Sequence, residues 1–164
     1  MYERATRFLY WSLAIAVAVS VVHYVDNYAN YANYPVPAAG SGLPAPSKSM
    51  VGLSWFVFTF FGAVAVVMWR RRRIVGAALS LVAYSASGLV GLAHFAVPGA
   101  TSMARWRQGH VVMDIVCGLV LCGFALWAVA RAADLRTPDH GLGVAQPASR
   151  FSRLRRRAVP RRRR

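Results

Sequence analysis

The last apolar segment, Gln108 to Ala130, reads QGHVVMDIVCGLVLCGFALWAVA and is long enough to cross a lipid bilayer as a helix. It carries His110, Asp114 and Cys117 at spacings i, i+4 and i+7, which puts all three on one helical face. A carboxylate and an imidazole inside a membrane span are costly unless they face a bundle interior or a wet cavity. A chain with this segment therefore folds as a bundle in which other spans cover that face.

Three further apolar runs supply those spans. Over 164 residues, 57% of them hydrophobic, the long runs are expected at residues 8–25, 50–69, 74–97 and 108–130, which excludes a water-soluble core. Residues 8–25 are read as a retained span and not a cleaved signal peptide, because no Ala-x-Ala site follows them. The expected fold is all-α: a polytopic membrane protein with a four-transmembrane-helix, up-down-up-down bundle over residues 1–130. A basic, disordered tail follows at 131–164. Residues 26–49 form a proline-rich connection, and the four arginines Arg70 to Arg73 form a turn so short that the second and third spans must be antiparallel neighbours.

Small and polar residues mark the faces expected to pack inward. On the first span these are Ser12, Ala16, Ser20, His23 and Asn27, with Asp26 at the stripe's edge and Leu9, Leu13, Val17 and Val21 turned elsewhere. The second span offers Gly52, Trp55, Thr59, Gly62 and Val66; the third offers Ser80, Tyr84, Ser87, Gly91 and His94. Three of the four stripes thus end in a histidine near the same end of the bundle. Cys117 and Cys122 lie five positions apart on one helix with side chains roughly 140° apart, so they cannot pair there and read as small packing residues.

Charge gives the orientation. The net charge of +15 comes almost wholly from 19 arginines against one lysine, a composition that points to a high-GC bacterial genome. Lys and Arg on the side of both termini and the 70–73 turn total 17, against 3 on the other side, which predicts an inner-membrane protein with both termini cytoplasmic. His23, Asp26, His94, His110 and Asp114 then fall toward the outer leaflet, Asp114 being about 9 Å along the axis from Gln108. The other halves of the spans hold no ionisable residue, which argues against a proton or ion relay across the bilayer.

Three readings of this constellation stay open. His23, His94, His110 and Asp26 are the residue types that hold a transition metal or haem, although their spacing matches no dedicated metal motif and the sequence fixes no cofactor. His110 with Asp114 at i, i+4 is the pattern of an acid-base pair, with Asp114 and His110 the catalytic candidates and a lipid-like substrate entering from the outer leaflet. No nucleophile motif accompanies it, Ser87 and Cys117 being the nearest guesses. The third reading is structural or accessory, Asp26 and Asp114 pairing with Arg105, Arg107 or histidines to fix helix packing, or to serve a partner membrane protein or a second copy. In the tail, Arg155, Arg156, Arg157, Arg161, Arg162, Arg163 and Arg164 read as binding anionic lipid at the cytoplasmic face. Aromatic interleaving is confined to Phe151, so nucleic acid is not the expected partner.

The segments HYVDNY (23–28) and YPVP (34–37), the Trp55, Thr59, Gly62 series and HVVMDIVCG (110–118) resemble those of small uncharacterised four-helix integral membrane proteins of high-GC bacteria. The resemblance covers most of residues 8–130 and implies the four-span architecture without an activity. The architecture is also similar to that of four-helix sterol-isomerase-like membrane proteins, whose carboxylates sit within the bundle, but none of their motifs is present residue by residue.

The charge asymmetry makes a direct prediction. A reporter active only outside the cytoplasm will be active when fused after Ser41 or Ser102 and silent after Arg73 or Arg136. Activity after Arg136 would overturn the four-span arrangement.

Overall fold

The computed structural model describes residues 1–37 and 45–136, and every regular element among them is helical. The helices are α1 (Tyr2–Ala29), α2 (Lys48–Arg70), α3 (Ile74–Leu89), α4 (Leu92–Phe95), α5 (Arg105–Ala130) and α6 (Ala132–Arg136), with single 3₁₀ turns at Tyr31–Asn33 and Ala100–Ser102. Four segments, Tyr2–Ala29, Lys48–Arg70, Ile74–Phe95 and Arg105–Ala130, are long and apolar enough to cross a membrane. They pack as a ring in which α1 touches α2 and α5, and α3 touches the same two helices.

Specific contacts tie one end of this ring. The Tyr2 hydroxyl donates to the Trp69 carbonyl at 2.7 Å, the two rings stack with centroids 5.5 Å apart, and the Trp69 indole N–H donates to the Thr6 hydroxyl at 2.8 Å. The Arg72 guanidinium lies 3.4 Å over the Tyr2 ring, a cation-π contact, and donates to the Leu135 carbonyl at 3.0 Å. That last bond, with Leu135 buried, explains α6: the first residues of the stretch expected to be disordered form a turn of helix because Leu135 has apolar surface to cover. Residues 137–164, including the arginines assigned to anionic lipid, lie outside the described residues, as do 38–44 of the connection.

Three expectations are corrected by the helices themselves. The first helix runs past Asp26 to Ala29, because the segment holds no proline before Pro35 and the Asn30 amide still donates to the Asp26 carbonyl at 2.8 Å. Leu9 and Leu13, expected to face outward, are buried, since this half of the bundle has an apolar core of Ala65, Trp69, Leu81, Leu121 and Phe124 for them to join. The third span is interrupted at Val90 and Gly91, where the Gly91 amide bonds the Gly88 carbonyl at 2.9 Å in a tighter turn and α4 carries His94 onward.

The break sits next to a close approach of α3 to α5. A Cβ on Gly88 would lie 2.2 Å from the Asp114 carbonyl oxygen, and one on Gly118 would lie 2.9 Å from the Ser85 carbonyl. Small residues let the α3 and α5 backbones meet here, as they do where membrane helices associate by packing alone. Gly88→Ala should therefore lower thermal stability by about 1 to 3 kcal/mol through overpacking. Gly123→Ala, whose added Cβ meets nothing within 4 Å, should leave the unfolding midpoint unchanged. Equal midpoints for the two variants would contradict the close approach.

Candidate functional site

At the end of the bundle away from the arginine turn, three of the helices deliver polar side chains. Helix α1 brings Ser20, His23, Asp26 and Asn27 to its buried side, α5 brings His110 and Asp114, and α4 carries His94. Seven residues apart, Arg107 and Asp114 lie about two turns apart on the same side of α5, so the guanidinium reaches the bundle's mouth while the carboxylate sits below it.

Two clusters form, one around each carboxylate. In the inner cluster His23 Nδ1 lies 2.7 Å from Asp114 Oδ2, and both residues are almost fully buried, 3% and 2% exposed. Asp114 is an acceptor, so the His23 Nδ1–H donates to it. His23 Nε2 is buried and has no hydrogen-bond partner among the described residues. The ring packs against His110 (centroids 5.5 Å) and edge-on to His94 (5.7 Å). His94 is held in turn by Asn27, whose amide nitrogen lies 3.3 Å from His94 Nε2.

In the outer cluster Asp26 is saturated. Its Oδ2 accepts from the Tyr34 hydroxyl at 2.5 Å and from Arg107 Nε at 2.9 Å, and its Oδ1 accepts from the Asn30 amide at 2.7 Å. His110 Nε2 lies 3.4 Å from the same Oδ2, and His110 Nδ1 is buried without a partner among the described residues. Burial, with the Asp26 carboxylate beside it, pushes the Tyr34 phenol well above its ordinary range, so this hydroxyl keeps its proton and acts as a donor.

A cavity of about 430 Å³ lies beside the inner cluster, between α1, α2, α3, α4 and the segments at 31–37 and Pro46. Its volume falls in the range of small-molecule pockets. His23, Asn27, His94 and Tyr34 give it a polar edge, while Phe58, Val51 and Val97 are among its apolar walls. No Lys, Arg, Asp or Glu lines it among the described residues. The Tyr31 hydroxyl bonds the Pro46 carbonyl across its top, joining the two ends of the connection.

The residues singled out from sequence thus occupy distinct positions. His23, His94 and His110 share one ring cluster, Asp114 pairs with His23 and not with His110, and Asp26 belongs to the outer network. Among the described residues no group of three or more His, Cys, Asp or Glu side chains is placed to hold a metal ion. Cys117 and Cys122 are free thiols, and Ser87 contributes its carbonyl, which accepts from the Tyr24 hydroxyl at 3.3 Å. Tyr34 and Asn30, which lie on none of the inward-facing stripes, also belong to the site. Their signal was proximity: the 3₁₀ turn at Tyr31–Asn33 folds the chain back so that Tyr34 meets Asp26, eight residues earlier.

Comparison with protein-family models, curated proteins and solved structures finds no match to this chain.

The geometry predicts energetic coupling between His23 and Asp114. In a double-mutant cycle of His23→Ala and Asp114→Ala, the double variant should lose less stability than the sum of the singles, by about 0.5 to 2 kcal/mol. Unfolding in detergent measures it, and strict additivity would mean that the pair does not form.

Proposed function

We propose that this chain is a multi-pass protein of a bacterial inner membrane, its spans running up-down-up-down with both termini in the cytoplasm. The 17 to 3 distribution of Lys and Arg supports that orientation. So does the contact of Arg72 with Leu135, which gathers α1, the arginine turn and the start of the tail at one end. The histidine end then opens at the outer leaflet, and the arginines from Arg155 to Arg164 are the proposed binders of anionic lipid at the cytoplasmic face, each near the surface contributing about 1 kcal/mol of attraction.

The function proposed for the histidine end is capture of a lipophilic small molecule from the outer leaflet, with His23 as the acid-base group that meets it. The observation that carries this reading is the second nitrogen of His23, buried and unpartnered on a ring that lines the cavity. A buried polar atom left unpaired costs about 1 to 3 kcal/mol, a cost without return if the His23–Asp114 pair served packing alone. A carboxylate on Nδ1 fixes the tautomer and orientation of an imidazole and leaves Nε2 to receive or deliver a proton.

Asp26 suits a structural role instead. Both of its oxygens are occupied, and Asp26 on α1 draws its partners from the connection and α5, so it holds the mouth of the bundle together. Metal or haem ligation has less support. The nitrogens His23 Nδ1, His94 Nε2 and His110 Nε2 face Asp114, Asn27 and Asp26 in that order.

Extracts of the protein purified in native-lipid nanodiscs provide the test. Wild type should carry a lipophilic compound enriched over bulk lipid; Ala93→Trp, which adds bulk at an exposed position lining the cavity, should lose it. Asp114→Asn, which removes the charge with little change of shape, should reduce retention more than it lowers the unfolding midpoint. Extracts identical for wild type and both variants would remove the ligand reading, and a large loss of stability with unchanged retention in Asp114→Asn would make the pair structural.

A further inference from the structure

We infer that the ligand of the cavity is an uncharged molecule with an apolar body and one O–H group, a lipophilic alcohol or phenol, whose hydroxyl donates to His23 Nε2. The inference rests on the reading above that the cavity takes a ligand, and it names the chemistry of that ligand's head.

The tautomer sets the direction of the hydrogen bond. A carboxylate can only accept, and Asp114 Oδ2 stands 2.7 Å from His23 Nδ1, so in its neutral form, the form this inference takes, the ring carries its proton on Nδ1. Nε2 then presents a lone pair. His23 lines the cavity and Asp114 does not, and Nε2 is the ring nitrogen without a partner among the described residues. What satisfies it must bring a proton of its own: a hydroxyl does, while an ether, ketone or ester does not.

The surroundings exclude a charged head. No cationic or anionic side chain lines the cavity among the described residues, and Asp26 and Arg107, beside the lining residue Tyr34, are joined to each other at 2.9 Å. A carboxylate or ammonium entering here would lose its hydration without gaining a counter-charge, a penalty of several kcal/mol per ion. A hydroxyl on an apolar body loses far less, and Nε2 returns part of it. Phe58, Met50, Val51, Val90, Val97 and Pro35 receive the body. The volume equals the liquid share of on the order of fourteen waters, room for a compact chain or ring system and not for a whole phospholipid.

The test uses full-length protein in nanodiscs and native mass spectrometry with four probes of one chain length: decan-1-ol, its methyl ether, decan-2-one and decanoate. Decan-1-ol should bind about threefold to tenfold more tightly than the ether, the ketone or the carboxylate, the span of one neutral hydrogen bond. His23→Leu should abolish the preference while keeping binding of the apolar body; if that variant does not fold, the wild-type comparison alone decides. Equal binding of alcohol and ether would overturn the hydroxyl assignment and leave the cavity a ligand site. Preference for the ketone would mean that Nε2 donates, and preference for decanoate that the site is cationic; either would overturn the inference. Failure of every probe to bind would remove the ligand reading itself.

Discussion

Asp114 has no solvent to hydrate it, and the bundle is arranged around meeting that need. The carboxylate is 2% exposed, on a helix of apolar neighbours, and the donor within reach is His23 of α1 at 2.7 Å. An uncompensated buried charge costs several kcal/mol, so the register of α1 against α5 is fixed by this one contact more firmly than by apolar side chains that could slide by a turn. The approach of α3 to α5 at Gly88 does the complementary work. By letting the α3 backbone lie against the Asp114 carbonyl, it closes the side of the carboxylate that His23 does not cover. Gly91, Gly88 and Gly118 are in that sense part of the site although none of them offers a functional group.

The two carboxylates have the same chemistry and different surroundings, and their surroundings separate their roles. Asp26 accepts from a phenol, a guanidinium and an amide, so neither oxygen is left for an occupant. Asp114 spends itself on one imidazole and thereby orients that ring's other nitrogen. The Tyr34 hydroxyl, kept protonated by burial and by Asp26, adds a firm link between the connection and α1. An ordered mouth above a cavity whose polar edge keeps an unpaired nitrogen is an arrangement suited to holding something small.

Much of this was legible because polar residues are rare in long apolar runs, and each one is therefore informative. His23, Asn27, His94, His110 and Asp114 stand out against their segments, and helical spacing alone assigns them to inward faces near one end. What the sequence concealed is what depends on partners. Leu9 and Leu13 face inward because the arginine-end half of the bundle is apolar throughout, a fact about four helices that no single stripe contains. The pairing of Asp114 with His23 in place of His110, four residues away on its own helix, follows from the depth at which α1 crosses α5. Tyr34 lies in the proline-rich connection, and only the turn after α1 brings it back to Asp26. The break at Gly91 was hidden in a run apolar enough to read as one continuous span.

The distribution of polarity along the bundle limits what the histidine end can do. From Leu121 toward the arginine turn the buried surface is made by Leu9, Leu13, Ala65, Leu81, Phe124, Ala125 and Ala128, and Trp69 satisfies its one N–H on Thr6. No chain of donors and acceptors threads that layer among the described residues, and a proton leaving His23 has no buried relay toward the arginine end. Any proton exchanged at Nε2 must therefore come from the occupant or from the mouth, where Asn27, His94 and Tyr34 line the cavity. In the orientation proposed here the bundle is one-sided: its apolar half is a plug, and its polar half is the proposed site, turned toward the outer leaflet.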